Sequence, residues 1–161
     1  RLVERGVRFV QLFHAGQPWD NHNSLNTAFP SACKKTDKPS AGLVKDLKQR
    51  GMLDEVLVHW GGEIGRLPVV EGDPKTGGRD HNGQGFSTWL AGGGIKSGIT
   101  YGESDEVGHK AAENIVNPND YQATVFKLFG IDHKELYYLH NGQEQKLTVN
   151  ADAKIVEDII A

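Results

Sequence analysis

The chain has 161 residues, of which 37% are hydrophobic and 24% are charged, enough for one domain with a buried core. Its formal net charge of −3 gives no broad basic field, which argues against binding nucleic acid or anionic lipid through long-range attraction. No apolar run approaches the roughly 20 residues of a membrane-spanning helix. The single cysteine excludes an internal disulfide framework.

The first half of the chain reads as a strand, an irregular stretch, a helix and a second strand. Residues 7–13 (VRFVQLF) are rich in β-branched and aromatic side chains, which favours a strand. Residues 14–39 are polar and punctuated by prolines, whereas Ser40 is a good N-cap for a helix that ends at Gly51. Residues 55–60 (EVLVHW) are typical of a strand covered on both faces. This order predicts a βαβ unit with parallel strands, and hence an α/β fold.

The second half contains shorter elements. Asn141-Gly142 is a strong signal for a type I′ hairpin between two strands. The predicted strands are residues 86–91, 99–101, 137–139 and 145–149, and the predicted helices are residues 118–129 and 151–160. No repeat or linker interrupts the sequence, so we expect a single domain.

A first polar cluster, Asp20 and His22, follows the first predicted strand. Residues two apart in an extended segment point to the same side, so both side chains can face one cation. Carboxylate oxygens and imidazole nitrogens are ordinary metal ligands. The alternative is a polar turn in which Asp20 caps a neighbouring amide.

A second cluster, Glu63 and Arg66, lies in a glycine-rich loop after the second strand. Ligands of open α/β sheets bind beyond the carboxyl ends of the strands. Glu63 offers a hard oxygen ligand or a catalytic base, and Arg66 offers a planar fork suited to phosphate or sulfate. The alternative is a surface ion pair that stabilises little.

A third cluster, Arg79, Asp80 and His81, lies between glycine loops that permit a tight turn. Asp80 and His81 are potential metal ligands, and Arg79 is a second candidate for binding an anion. His109 is a further candidate at the border of a substrate entrance, with an ordinary loop histidine as the alternative.

Together the clusters predict a divalent metal site, with one ion or two. The predicted ligands are Asp20, His22, Glu63, Asp80 and His81. Mixed nitrogen and oxygen ligands favour zinc, manganese or iron, and calcium stays open. Two ions roughly 3.5–4 Å apart would suit in-line displacement at phosphorus or sulfur. In that reaction Glu63 and Arg66 are the predicted catalytic residues, and Arg66, Arg79 and His109 bind substrate.

The stretches that carry these clusters resemble the DUF1501 proteins, which are sulfatase-like members of the alkaline phosphatase superfamily. The resemblance rests on the order and spacing of GVRFVQLFHAGQPWDNH, PSAGLVKDLKQRGMLDEVLVHWGGEIGR and GGRDHNGQGFSTWLAGGGIKSGITYGESDEVG. The tail NPNDYQATVFKLFGI is similar to the helix that closes sulfatase domains.

The resemblance implies a three-layer α/β/α sandwich with a mostly parallel sheet. This chain would be the C-terminal part of that domain, and its remainder, N-terminal to Arg1, would be a partner. By position, Asp20 and His22 match one metal pair and His81 matches a late histidine ligand. Glu63 stands where an Asp-His pair is usual. Twin-arginine export, common in the family, implies a periplasmic or secreted protein.

Three hypotheses about function follow. The preferred one is a metal-dependent hydrolase of sulfate or phosphate esters, acting on a small anionic ester or a sulfated glycan. The second is a non-catalytic protein that binds metal and anion. The third is a structural remnant whose histidines only satisfy hydrogen bonds. Because the superfamily nucleophile lies in the N-terminal half of the domain, we do not expect this chain alone to catalyse.

Overall fold

Helix α1, Leu25–Gln49, is the longest element of the computed structural model. It runs through Pro30 and Pro39, both of which lie inside the helix. The prediction of irregular structure over residues 14–39 is therefore wrong from residue 25 onward, as is a helix start at Ser40. Proline removes one backbone donor and disfavours a helix interior, but the alanine and lysine residues around both prolines are good helix formers.

The C-terminal end of α1 is where the sequence predicts it. Gly51 adopts a left-handed conformation with φ of 67°, which glycine tolerates better than any other residue. The amide of Met52 donates to the carbonyl of Leu47 at 2.9 Å, the bond that closes a Schellman motif. In the described part of the chain, no helix combines the length and the apolar character needed to cross a membrane.

The structure describes residues 1–148 and 152–161, and the chain divides into two units. The first unit comprises Arg1–Pro39 and Val69–Asp80. The second unit comprises Ser40–Pro68 and His81–Ala161.

The N-terminal part of the first unit contains little regular structure. A 3-10 helix, Val3–Arg5, ends at Gly6, whose φ is 85°. Residues 7–13 belong to no strand in the described structure, so the prediction of a strand there is wrong. Phe9 and Phe13 are 74% and 82% exposed, which shows that this apolar segment is not covered as an interior strand would be.

The second unit contains short antiparallel strand pairs. The strands of the described chain are β1 Val58–Trp60, β2 Gly65–Arg66, β3 His81–Asn82, β4 Trp89–Ala91, β5 Glu103–Ser104, β6 Ala111–Glu113, β7 Tyr137–His140 and β8 Gln143–Lys146. They pair as β1 with β4, β2 with β3, β5 with β6 and β7 with β8.

This architecture contradicts the expected α/β/α sandwich with a mostly parallel sheet. Each described sheet has two strands, so none offers two broad faces for layers of helices to cover. The βαβ prediction fails for a specific reason, because β1 pairs antiparallel with β4, Trp60 opposite Trp89. The predicted strand at 99–101 is also wrong, since pairing in that region begins at β5.

Two elements with strong local signals are confirmed. Helix α2, Pro118–Leu128, begins at the N-cap Asn117, whose side chain accepts hydrogen bonds from two backbone amides of the first turn. The hairpin of β7 and β8 turns at Asn141 and Gly142, with φ of 50° and 76°. Two positive φ values in a two-residue loop are the signature of the predicted type I′ turn.

The C-terminal segment packs on α2 through hydrogen bonds from its backbone amides to side chains of the helix. Val156 N donates to the buried Thr124 Oγ1 at 2.9 Å, and Lys154 N donates to Asp120 Oδ1 at 2.8 Å. The described part of this segment contains a 3-10 helix, Glu157–Ile159, so the predicted helix over residues 151–160 is wrong there. Residue 151 and residue 149, the predicted end of a strand, lie outside the described residues.

Candidate metal centre

The candidate centre lies in the first unit, where the loop of residues 71–78 docks against the segment before α1. Asn23 and Gly77 form an antiparallel bridge, and Ser24 N donates to Thr76 O at 2.6 Å. Within the loop, Glu71 and Gly78 exchange backbone hydrogen bonds of 2.9 and 3.1 Å. These hydrogen bonds hold together two segments that are distant in the sequence.

Close backbone packing at Gly78 makes this docking possible. A Cβ atom at that position would overlap the carbonyl oxygen of Asn21 and the backbone of His22. The next amide, Arg79 N, donates to Asn21 O at 2.9 Å. Glycine at position 78 therefore allows the loop to approach the Asn21–His22 peptide, which sets the position of the imidazole.

The imidazole of His22 lies among three carboxylates. Its Nδ1 is 2.7 Å from Glu71 Oε2 and 4.0 Å from Asp80 Oδ1, and its Nε2 is 3.1 Å from Asp20 Oδ1. We call Asp20, His22, Glu71 and Asp80 the His22 cluster. Ligand atoms of His22, Glu71 and Asp80 all lie within 4.8 Å of one another, close enough to hold one metal ion.

The carboxylates favour the charged form of the imidazole. The hydrogen bond to Glu71 is the main cause of a raised His22 pKa, burial works against it, and the charges of Glu71, Asp20 and Asp80 add to it. Both ring nitrogens lie within hydrogen-bond reach of carboxylate oxygens, which only accept, so both contacts are satisfied together by an imidazolium. Three carboxylates around one imidazole give the His22 cluster more acidic groups than basic ones.

This arrangement fits a divalent cation. The side chain of His22 is 38% exposed and that of Glu71 is 42% exposed, so an ion can reach them from solvent. An entering ion would replace a proton on one ring nitrogen, because a ligating imidazole must offer a lone pair. An imidazole nitrogen of His22 with carboxylate oxygens of Glu71 and Asp80 suits zinc or manganese, whereas calcium prefers oxygen ligands alone.

Three of the predicted ligands belong to the His22 cluster. Asp20 and His22 contact each other, and Asp80 lies beside the same imidazole. Their binding of metal stays a prediction. Arg79 also belongs to the first unit, where its backbone amide helps to hold the loop.

The other predicted residues lie in the second unit. Arg66 Nη2 donates to Glu63 Oε1 at 3.3 Å, and Arg66 is the cross-strand partner of His81 in the β2–β3 pair. The metal-binding roles of Glu63 and His81 stay predictions.

His109 lies in a loop of the second unit that Asp105 closes. The backbone amide of His109 donates to Asp105 Oδ1 at 2.7 Å, and this bond is the main cause of a lowered Asp105 pKa. The carbonyl of His109 accepts from the buried Asn82 Nδ2 at 2.6 Å. The loop is thus held by its backbone, and a substrate-binding role for the imidazole stays a prediction.

Comparison with known proteins identifies the family. A family model described as "Protein of unknown function (DUF1501)" matches residues 1–160. The chain belongs to the DUF1501 family. No curated protein and no solved structure matches it. Membership confirms the resemblance to the DUF1501 family. Because the family is described as one of unknown function, membership assigns no activity to this chain.

Glu71 is the member of the His22 cluster that sequence reasoning missed in this DUF1501 chain. It lies 49 positions after His22, in the run VVEGDPKTGG, and no predicted element placed it near a ligand. The available signal was local: Glu71 begins a tight loop that Asp73 stabilises by accepting from the amides of Lys75 and Thr76. Such a loop brings the chain back close to where the loop began, so Glu71 and Asp80 lie near each other at its two ends.

Proposed function

We propose that this DUF1501 protein is a divalent-metal-dependent hydrolase of sulfate or phosphate esters, with its metal held by the His22 cluster. The observation that carries the proposal is the convergence of Asp20, Glu71 and Asp80 on both ring nitrogens of His22. A partly exposed imidazole with an excess of carboxylates is a ligand set for a divalent cation.

The bound metal would supply a Lewis acid that polarises an ester oxygen and lowers the pKa of water or of a nucleophile. Nδ1 of His22 and the carboxylates of Glu71 and Asp80 would hold it, whereas Asp20 contacts the other ring nitrogen. Arg66 and Arg79 are candidates for neutralising charge on the anion, since guanidinium groups match the geometry of sulfate and phosphate. Glu63 is the candidate base.

The sulfatase-like character is the finer part of the proposal. It is supported by the resemblance of the three sequence stretches and by the chemistry of the His22 cluster. We propose small anionic esters or sulfated glycans as substrates and a periplasmic or secreted location, both by family resemblance.

A second candidate is a protein that binds metal and anion without turnover. It is favoured by the composition of the His22 cluster, in which all four side chains are ligand types and none is a serine, threonine or cysteine nucleophile. In this case the ion would serve affinity or stability rather than reaction.

Turnover of aryl sulfate and aryl phosphate, with added Zn²⁺, Mn²⁺ or Ca²⁺, separates the two candidates. The assay compares the protein with His22→Gln as the test variant and with His140→Gln, on the exposed β7–β8 hairpin, as the control. The hydrolase proposal expects metal-dependent turnover that His22→Gln abolishes and His140→Gln retains. Metal binding without turnover of either ester supports the binding protein instead.

A further inference from the structure

The hairpin of β7 and β8 exposes apolar side chains along its first strand. Tyr137, Tyr138 and Leu139 are 51%, 52% and 69% exposed. A single two-stranded hairpin is marginally stable in water, and further strands or a packed face are what stabilise it. The hairpin therefore gains buried apolar surface if another strand pairs with it.

The base of this hairpin is attached to the rest of the second unit. His133 and Thr148 are both buried, and Nδ1 of His133 lies within hydrogen-bond distance of Thr148 Oγ1, at 3.0 Å. This contact joins the segment before β7 to the residues that follow β8. Because both ends of the hairpin are held, its strands lose little freedom when a partner binds.

The outer edge of β7 carries backbone groups that no other described strand pairs with. In the part of the chain that the structure describes, β7 pairs with β8 alone. The carbonyl of His140 accepts from the amide of Gln143 across a turn of this type, and ladder hydrogen bonds alternate along an antiparallel pair. The backbone groups of Tyr138 and His140 therefore point toward β8. Those of Tyr137 and Leu139 point outward.

The two edges of the hairpin differ in charge. Strand β8 contains Glu144 and Lys146, and charged side chains on an edge strand, lysine above all, discourage another strand from pairing there. Strand β7, with the sequence YYLH, contains no aspartate, glutamate, lysine or arginine. The edge of β7 is therefore the one at which a further strand can pair.

We propose that β7 pairs antiparallel with β7 of a second copy of this chain, with Tyr138 of one copy opposite Tyr138 of the other. In this register, Leu139 of each copy lies opposite Tyr137 of the other. Tyr137 and Leu139 are the residues whose amides and carbonyls point outward, so the two strands exchange hydrogen bonds through these groups. The register therefore satisfies the outer backbone groups of both strands.

The same register brings complementary side chains together, which favours a second copy over an unrelated peptide. On one face of the combined sheet, Tyr137 and Leu139 of the two copies meet at the centre. Their neighbours within each hairpin, Lys146 and Glu144, lie to the outside. Each row across the sheet thus has a lysine at one end and a glutamate at the other, and no like charges lie opposite each other. An apolar centre with a polar rim is typical of protein interfaces.

The dimer is small in area, and its population should rise with protein concentration. One strand edge from each copy buries less surface than a standard protein–protein interface. Sedimentation velocity from about 10 μM to about 1 mM protein, with EDTA present, measures the association. Since EDTA removes any shared metal ion, the result is independent of the proposed function. A monomer throughout this range would overturn the proposal.

Position 138 gives the sharpest test, because each substitution there meets its own copy across the interface. Tyr138→Lys places two lysines opposite each other and should weaken the dimer at least about tenfold, and Tyr138→Glu should do the same. A mixture of the two variants places opposite charges together and should restore dimers. If Tyr138→Lys does not fold, Tyr138→Thr keeps a good strand former and should still weaken the dimer by removing the central rings.

Gln145 provides a matched control. It is the cross-strand neighbour of Tyr138 on the same face of the hairpin, but it lies on β8, away from the proposed interface. Gln145→Lys adds the same charge as Tyr138→Lys and should leave the dimer intact. Equal weakening by these two variants would overturn the proposal, as would a Tyr138→Lys dimer as strong as that of wild type. Failure of the mixed Tyr138→Lys and Tyr138→Glu chains to associate would also overturn it.

Discussion

His22 and Glu71 lie 49 positions apart in the chain, and a hydrogen bond of 2.7 Å joins His22 Nδ1 to Glu71 Oε2. The bond exists because the loop of residues 71–78 pairs with the backbone before α1. The same contact raises the pKa of His22 and brings a carboxylate to the place where a cation would bind.

Replacing Glu71 by Gln removes a carboxylate and keeps the size of the side chain. We expect the affinity for Zn²⁺ or Mn²⁺ to fall at least about tenfold, because a neutral amide oxygen is a poorer ligand for a divalent cation. The pKa of His22 should fall as well, which NMR titration of its ring protons measures. Glu144→Gln, on the exposed strand β8, is the control and should change neither quantity.

The raised pKa of His22 makes stability depend on pH. The charged imidazole is stabilised in the folded chain, so its contribution is fully present below the unfolded pKa of 6.5 and is lost as pH rises through the higher folded pKa. In metal-free protein, the stability difference between wild type and His22→Gln should therefore be larger at pH 5.5 than at pH 8.5. Urea unfolding at both pH values measures this difference, and an unchanged difference would argue against the imidazolium.

Gly78 is not a member of the His22 cluster, but replacing Gly78 by Ala should disrupt the cluster. The added methyl group overlaps the backbone of Asn21 and His22, so the loop must move away from the imidazole. We expect the metal affinity to fall. We also expect the free energy of unfolding to fall by about 1–3 kcal/mol. At Gly83 a Cβ meets no atom within 4 Å, so Gly83→Ala should preserve metal binding.

Replacing Thr124 tests how the C-terminal segment is attached to α2 in the second unit. Its buried hydroxyl donates to Asp120 O at 2.7 Å and accepts from Val156 N at 2.9 Å. Thr124→Val leaves the Val156 amide without this acceptor, and we expect a loss of about 1–3 kcal/mol in unfolding free energy. Metal affinity of the His22 cluster is the internal control, because Thr124 belongs to the other unit.

Elements with local signals could be predicted from the sequence, and elements that depend on distant pairing could not. Asn117 and Pro118 mark the start of α2, and Asn141-Gly142 marks the hairpin, because caps and tight turns depend on a few neighbouring residues. The partner of β1 is β4, about thirty residues away, and the apolar pattern of β1 does not distinguish this pairing from a parallel one.

The same division applies to the His22 cluster. Asp20 and His22 could be paired from the two-residue period of an extended chain, and their contact of 3.1 Å agrees with it. Glu71 could not, because its position depends on loop docking through Gly77 and Gly78. Pro30 and Pro39 led to a wrong prediction of irregular structure. Proline locally disfavours a helix, yet both residues lie inside α1.

The most direct test of a metal centre at the His22 cluster is calorimetric titration of Zn²⁺ and Mn²⁺ into the metal-free chain, for wild type and for His22→Gln. We expect saturable binding to wild type that weakens as pH falls below the His22 pKa and is lost in His22→Gln, with His140→Gln unchanged. Equal binding by wild type and His22→Gln, or no binding by folded wild type at pH 8, would contradict it.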